Sequence, residues 1–186
     1  MLALCCVSLT FSWFSYSQYE GNSMKYTKKL VLASSNATID NYYYDAQTAS
    51  YVQITEGSDA FYFELNNLAP GMSVAFRTDI TNTKTTTSYS SLYVGGVECT
   101  SVLAPYVEIG VTSTSGGTIK STSSYVIEDT DGDGTYDTAV FDEITLVDNF
   151  AIASGATISI YWSVYINEDA ESDCMNSYLV IKTVRI

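Results

Sequence analysis

Two stretches of this chain alternate cleanly between apolar and polar residues. Val74, Phe76, Thr78 and Ile80 alternate with Ala75, Arg77 and Asp79, and Ile158, Ile160, Trp162, Val164 and Ile166 alternate with Ser159, Tyr161, Ser163 and Tyr165. A period of two puts one set of side chains on each face of a strand, so both stretches predict half-buried strands. Shorter apolar or β-branched runs predict further strands over 29–33, 37–44, 50–55, 60–66, 92–99, 106–112, 121–127, 138–144 and 178–186. Turn residues separate them. Pro70-Gly71 has the order of a type II turn, in which Gly accepts positive φ, and Gly116-Gly117 and the Thr/Ser-rich stretch 81–88 supply further breaks. No window keeps helical spacing for three turns. Many short strands between turns predict an all-β fold, a two-sheet antiparallel sandwich of jelly-roll type.

The first nineteen residues follow the same period with no evident strand of their own to pair with. Val7, Leu9, Phe11 and Trp13 alternate with Ser8, Thr10 and Ser12. A secretion signal opens with Lys or Arg, whereas the first cation here is Lys25. A membrane helix needs about 20 nearly continuous apolar residues, and here every second residue from Ser8 to Ser12 is polar. The expectation is an N-terminal extended strand over 1–20 that seeks a groove, followed by one sandwich domain over 21–186.

Charge and composition remove several function classes. A net charge of −13, with eight cations in no basic cluster, disfavours nucleic acid and anionic membrane surfaces as partners and favours bound cations. Tyr, Thr, Ser, Val and Ile are plentiful, the usage of strands with hydroxyl and phenol faces. The absence of histidine removes Ser-His pairs, His-ligated zinc and the commonest general base, so no catalytic residue is assigned. The four cysteines, Cys5, Cys6, Cys99 and Cys174, form no C-x-x-C pair and are disulfide candidates. Adjacent Cys5 and Cys6 point to opposite faces of a strand, as two small buried residues or with one bridging to another subunit. Cys99 and Cys174 could bond within the domain, and the sequence alone leaves the pairing open.

Asp129-Thr130-Asp131-Gly132-Asp133-Gly134-Thr135-Tyr136-Asp137 places carboxylates at positions 1, 3, 5 and 9 of a loop. Alternate acids of this kind converge on one hard cation in calcium loops, and Gly134 permits the bend. The twelfth position is Val140, which excludes a true EF-hand, and Asp142 or Glu143 is the available substitute. The competing reading is an acidic hairpin tip between 125–127 and 138–144. A calcium ion here would be structural. Asn36-Ala37-Thr38 is a glycosylation sequon at Asn36. The tyrosines read as strand-face packing, and 167–173 as a solvated acidic loop.

Leu9-Thr10-Phe11-Ser12-Trp13-Phe14-Ser15, then Gly21-Asn22-Ser23 and Leu30-Val31-Leu32, resembles the start of the TasA/camelysin family of secreted fibre proteins. Asn67-Leu68-Ala69-Pro70-Gly71-Met72-Ser73-Val74, followed by Thr81-Asn82-Thr83, is similar to that family's Asn-Leu-x-Pro-Gly-Asp-x-Val turn and Asn-Thr-Gly loop. Met72 stands where Asp is usual and Lys84 where Gly is common. The resemblance covers roughly the first half of the chain. It implies a jelly-roll subunit of an extracellular filament, joined to copies of itself by donor-strand complementation as in TasA-like archaeal bundling pilins, with roles in adhesion or biofilm matrix.

The physical chemistry agrees with that implication. An incomplete sandwich exposes an apolar groove and unpaired backbone, and a strand from the next subunit satisfies both. Burying Val7, Leu9, Phe11 and Trp13 would contribute on the order of 6–12 kcal/mol before association costs. Such a heterologous contact propagates into a fibre. Self-insertion of residues 1–19 into their own domain is the competing arrangement. The rival function is a calcium-dependent cell-surface adhesion or carbohydrate-binding module. The peptidase label that camelysin brings to the family finds no catalytic equipment here.

Overall fold

Strand pairing dominates the computed structural model, which describes residues 25–27, 37–54, 61–112, 118–121, 124–171, 174 and 176–186. The strands are β1 (Lys25–Thr27), β2 (Ala37–Asp45), β3 (Ser50–Gln53), β4 (Tyr62–Asn66), β5 (Ser73–Asn82), β6 (Ser88–Thr100), β7 (Val107–Thr112), β8 (Thr118–Ser121), β9 (Tyr125–Glu128), β10 (Thr138–Phe141), β11 (Ile144–Ile152), β12 (Thr157–Ile166) and β13 (Tyr178–Arg185). A 3₁₀ turn, Ala104–Tyr106, precedes β7. All pairings are antiparallel and form two sheets. A seven-stranded sheet runs β1-β4-β13-β6-β10-β9, with β11 also on β6, and a six-stranded sheet runs β3-β2-β5-β12-β7-β8. This is the two-sheet antiparallel sandwich that the alternation predicts.

The clearest sequence patterns lie at the centre of the six-stranded sheet. β12 pairs β5 over nine positions, from Thr157↔Thr81 to Tyr165↔Ser73. Val74, Phe76, Thr78 and Ile80 point inward from β5, and Ile160, Trp162, Val164 and Ile166 from β12. Trp162 stacks on Phe76 with centroids 4.3 Å apart, and Phe63 of β4 meets Phe76 edge-on at 4.8 Å, which ties the two sheets together. The polar member of the β5 set is bonded. Trp162 Nε1 donates to Thr78 Oγ1 at 3.0 Å, and Thr78 Oγ1 donates to Asn41 Oδ1 at 2.8 Å, so three buried polar groups satisfy one another.

The turn 67–72 forms as expected. Met72 N–H donates to Ala69 O at 3.0 Å and Gly71 has φ +76°, the conformation that makes Gly the favoured residue there. Several boundaries differ from the expectation. β6 begins at Ser88, four residues early, because β11 pairs its Ser/Tyr-rich start. The strand expected over 138–144 breaks at Asp142-Glu143. β10 pairs the end of β6, and β11 pairs its beginning with register shifts between Thr145 and Phe150. Residues 121–127 divide between β8 and β9, which belong to different sheets. The strand expected over 29–33 lies outside the described residues.

Candidate functional site

The acidic loop joins β9 to β10, so the hairpin is real, and it brings three carboxylates together at its tip. One oxygen from each of Asp129, Asp131 and Asp133 lies within 4.8 Å of the others. Oxygens bound to one calcium at about 2.3–2.6 Å are no more than about 5 Å apart, so the set fits around a single ion. The loop's own amides hold this shape. Asp129 accepts from Gly132 N at 2.7 Å and Gly134 N at 2.9 Å, Asp131 from Asp133 N at 3.2 Å, and Asp133 from Thr135 N at 2.7 Å. Burial raises the Asp129 carboxyl slightly, but the Gly134 and Gly132 amides outweigh it and bring it below the usual value. Asp129 is therefore anionic at neutral pH.

Three acids expected as contributors stand outside this group. Asp137 is not part of the cluster: Thr138 Oγ1 donates to its carboxylate at 3.3 Å, and its backbone carbonyl accepts from Ser101 N at 2.7 Å. Asp142 and Glu143 are engaged elsewhere. Asp142 accepts from Ser124, and Glu143 forms a two-bond ion pair with Arg185 at 2.8 and 2.6 Å. Sequence spacing could not separate these acids, because the strand begins at Thr138 and turns them out of the loop.

Cys99 and Cys174 are both buried, and they are present as thiols, without the bond considered above. Cys174 Sγ turns to the Val102 carbonyl at 3.5 Å. Burial, with the neighbouring Cys174 second, pushes the Cys99 thiol up to about 12. Both behave as small apolar core residues. Cys5, Cys6, Val7, Leu9, Phe11, Trp13 and Asn36 lie outside the described residues.

Among the described residues, pairing stops short at one corner of the sandwich. β13 pairs β4 only from Tyr178 to Ile181 but continues along β6 to Arg185, so among the described residues its β4 side carries no partner from Lys182 onward. β2 pairs β3 from Tyr42, and Ile54 N donates to Asn41 O, so among the described residues its outer edge carries none from Ala37 to Asp40. Tyr43 of β2 meets Phe63 of β4 at 6.0 Å, which places these edges on the same side of the sandwich. Ala37 and Ile186 line one cavity, so they also share an end.

The tyrosines, expected from the sequence as strand-face packing, do more on the outer face of the six-stranded sheet. Arg77 Cζ lies 4.0 Å over the Tyr42 ring and 5.4 Å from that of Tyr51, with an ion pair to Asp79 at 3.1 Å. Tyr51 meets Tyr44 at 5.4 Å and Tyr161 at 5.7 Å, both edge-on. Tyr44 and Tyr161 remain 37% and 42% exposed, leaving an aromatic patch open to a partner. The spacing Tyr42-x-Tyr44 was the available signal, but Tyr161 joins only through the sheet.

The described residues define a class, the antiparallel β-sandwich module, with an acidic hairpin tip and an exposed aromatic face. No family model and no curated protein matches the chain. Among solved structures it is similar to the CBM3a-L domain with flanking linkers from scaffoldin cipA of the cellulosome of Clostridium thermocellum, at 13% identity and TM-score 0.32, over 75% of this chain and 72% of that one. The fold assignment rests on the strand pairing itself. No helix among the described residues is long and apolar enough to cross a membrane.

Proposed function

We propose that the chain is a structural subunit of an extracellular filament, polymerising head-to-tail by inserting its N-terminal strand into the next copy. The observation that supports this reading is that, among the described residues, half of β2 and half of β13 have ladder edges with no partner, on the same side and end of the sandwich. Val184 and Ile39, on those two strands, belong to the buried apolar core beside these edges. The segment 1–20 has the matching chemistry: alternate apolar side chains for such a lining and a full complement of backbone donors and acceptors for the edge. A Ca²⁺ ion held by Asp129, Asp131 and Asp133 would stiffen the β9–β10 hairpin without taking part in chemistry.

A second reading, an adhesion or carbohydrate-binding module, is favoured by the aromatic patch around Arg77. Tyrosine faces with adjacent carboxylate, amide and guanidinium groups suit a partner that is apolar on one face and hydroxylated at its rim. Electron microscopy separates the two readings. The full chain should form filaments, and a variant lacking residues 1–16 should remain soluble and monomeric. Filaments from the shortened chain would refute strand donation.

A further inference from the structure

A cavity of about 310 Å³ opens at the end of the sandwich, beside the start of β6 and beyond the last residue of β13. That size lies at the lower end of the range for ligand cavities, roughly 300–1,000 Å³. Its charge is unusual for this molecule. The chain has 21 acidic residues, yet no Asp or Glu side chain lines the cavity, and Lys84 is its one lining residue with a charged side chain, with Asp148 behind Ser91 as the nearest carboxylate side chain in the hydrogen-bond network. Among the described side chains the other cations are spoken for: Arg77 pairs with Asp79, Lys182 with Glu98 and Arg185 with Glu143. Lys84 has no carboxylate partner among the described residues.

The loop that carries Lys84 is built to hold it there. Asn82 is fully buried, and its side-chain amide donates to the carbonyls of Thr86 at 2.8 Å, Ile152 at 3.0 Å and Ala153 at 3.2 Å. Its carbonyl oxygen accepts from Lys84 N at 2.9 Å, and Ser154 Oγ donates to Lys84 O at 2.9 Å. Both backbone groups of Lys84 are therefore fixed by side chains. On the opposite wall, Asn149 has φ +48° and is held by its N–H donating to Ser91 Oγ at 3.0 Å. Asn accepts this left-handed conformation at the register shift of β11, which sets where its side chain departs.

The remaining lining is hydroxyl and aromatic. Ser88 and Ser90 present hydroxyls, and Ser88 Oγ is buried with no hydrogen-bond partner. Buried polar groups are nearly always bonded, so an unbonded one in a cavity wall marks a place for a polar ligand or water. Tyr89, 69% exposed, stands at the rim with a ring face free to stack. One fixed cation, clustered hydroxyls, an amide and an aromatic face together match a ring that is anionic at one position, hydroxylated around its edge and apolar on its faces.

We propose that this cavity binds a carboxylated sugar, with the carboxylate on Lys84, ring hydroxyls on Ser88, Ser90 and Asn149, and a ring face on Tyr89. Saturation-transfer NMR detects ligands on filaments and monomers alike. The full chain is titrated with glucuronate, glucose and acetate, and separately with a polyuronate. Saturable transfer to glucuronate is expected, at least tenfold tighter than to glucose or acetate. Lys84→Gln should weaken it at least tenfold, Lys84→Arg should retain most of it, and Tyr89→Ala should weaken it severalfold. All three substitutions are at exposed positions and should leave the fold intact. Tighter binding of the polyuronate than of the monomer would identify a polymer as the source, and the reverse a free sugar. Equal affinity for acetate, equal affinity for glucose, absence of transfer from glucuronate, or indifference to Lys84→Gln would each overturn the proposal.

Discussion

Thr78→Val tests the buried hydrogen-bond chain that links β2, β5 and β12. Thr78, Trp162 and Asn41 are 0%, 0% and 6% exposed, and Thr78 Oγ1 is acceptor to the indole and donor to the amide oxygen. Valine has nearly the same shape, so the substitution opens no cavity and removes only the hydroxyl. It strands a buried indole N–H and a buried amide oxygen, at about 1–3 kcal/mol each, for an expected loss of about 2–6 kcal/mol. Thr78→Ser keeps the hydroxyl and deletes a methyl group, which costs about 1 kcal/mol. Urea unfolding followed by tryptophan fluorescence measures both. The order expected is wild type, then Ser, then Val, although Val fills the site better. If the Val variant matched or exceeded the Ser variant in stability, the polar chain would not be holding these strands.

Further outcomes follow from the other sites. Calcium should raise the melting temperature of the full chain by several degrees and a chelator should reverse it, while Asp129→Asn should abolish the response; a calorimetric scan indifferent to calcium would remove the ion from the account. Native Cys99 should resist alkylation at pH 8 and react only on unfolding, because burial holds its thiol protonated. The sign of the linked stability is fixed. The unfolded thiol ionises near 9.0 and the folded one near 12, so the folded state retains the extra proton and stability from this group is lost as pH rises from about 9 through 12. Comparing urea midpoints of wild type and Cys99→Ala across that range should show a shallower decline for the variant.

The legible parts of the fold were those in which one strand carries its own signal. β5 and β12 announced themselves because their inward residues sit in an unbroken period of two. β6 was cut short because Ser88, Tyr89, Ser90 and Ser91 carry no alternation, and only pairing with β11 makes them a strand. β11 itself was hidden by Asp148-Asn149, where the register shifts and Asn149 takes positive φ. The acidic loop was legible as a motif, yet which acids converge depends on where β10 begins, and that excluded Asp137. The Lys84 cavity and the aromatic patch join residues from distant strands. Asn82, which holds Lys84 N, donates to carbonyls some seventy residues away, and Tyr161 reaches Tyr51 only through the sheet. No local pattern encodes such neighbours.

The central claim is that the strand 1–20 of one copy fills the open corner of another. A photo-crosslinking residue at Phe11, in filaments assembled from two separately isotope-labelled pools, tests it directly. The account predicts intermolecular crosslinks from position 11 to β2 between Ala37 and Asp40 or to β13 between Lys182 and Arg185. Crosslinks confined to a single chain, or falling on other strands of the neighbour, would contradict it.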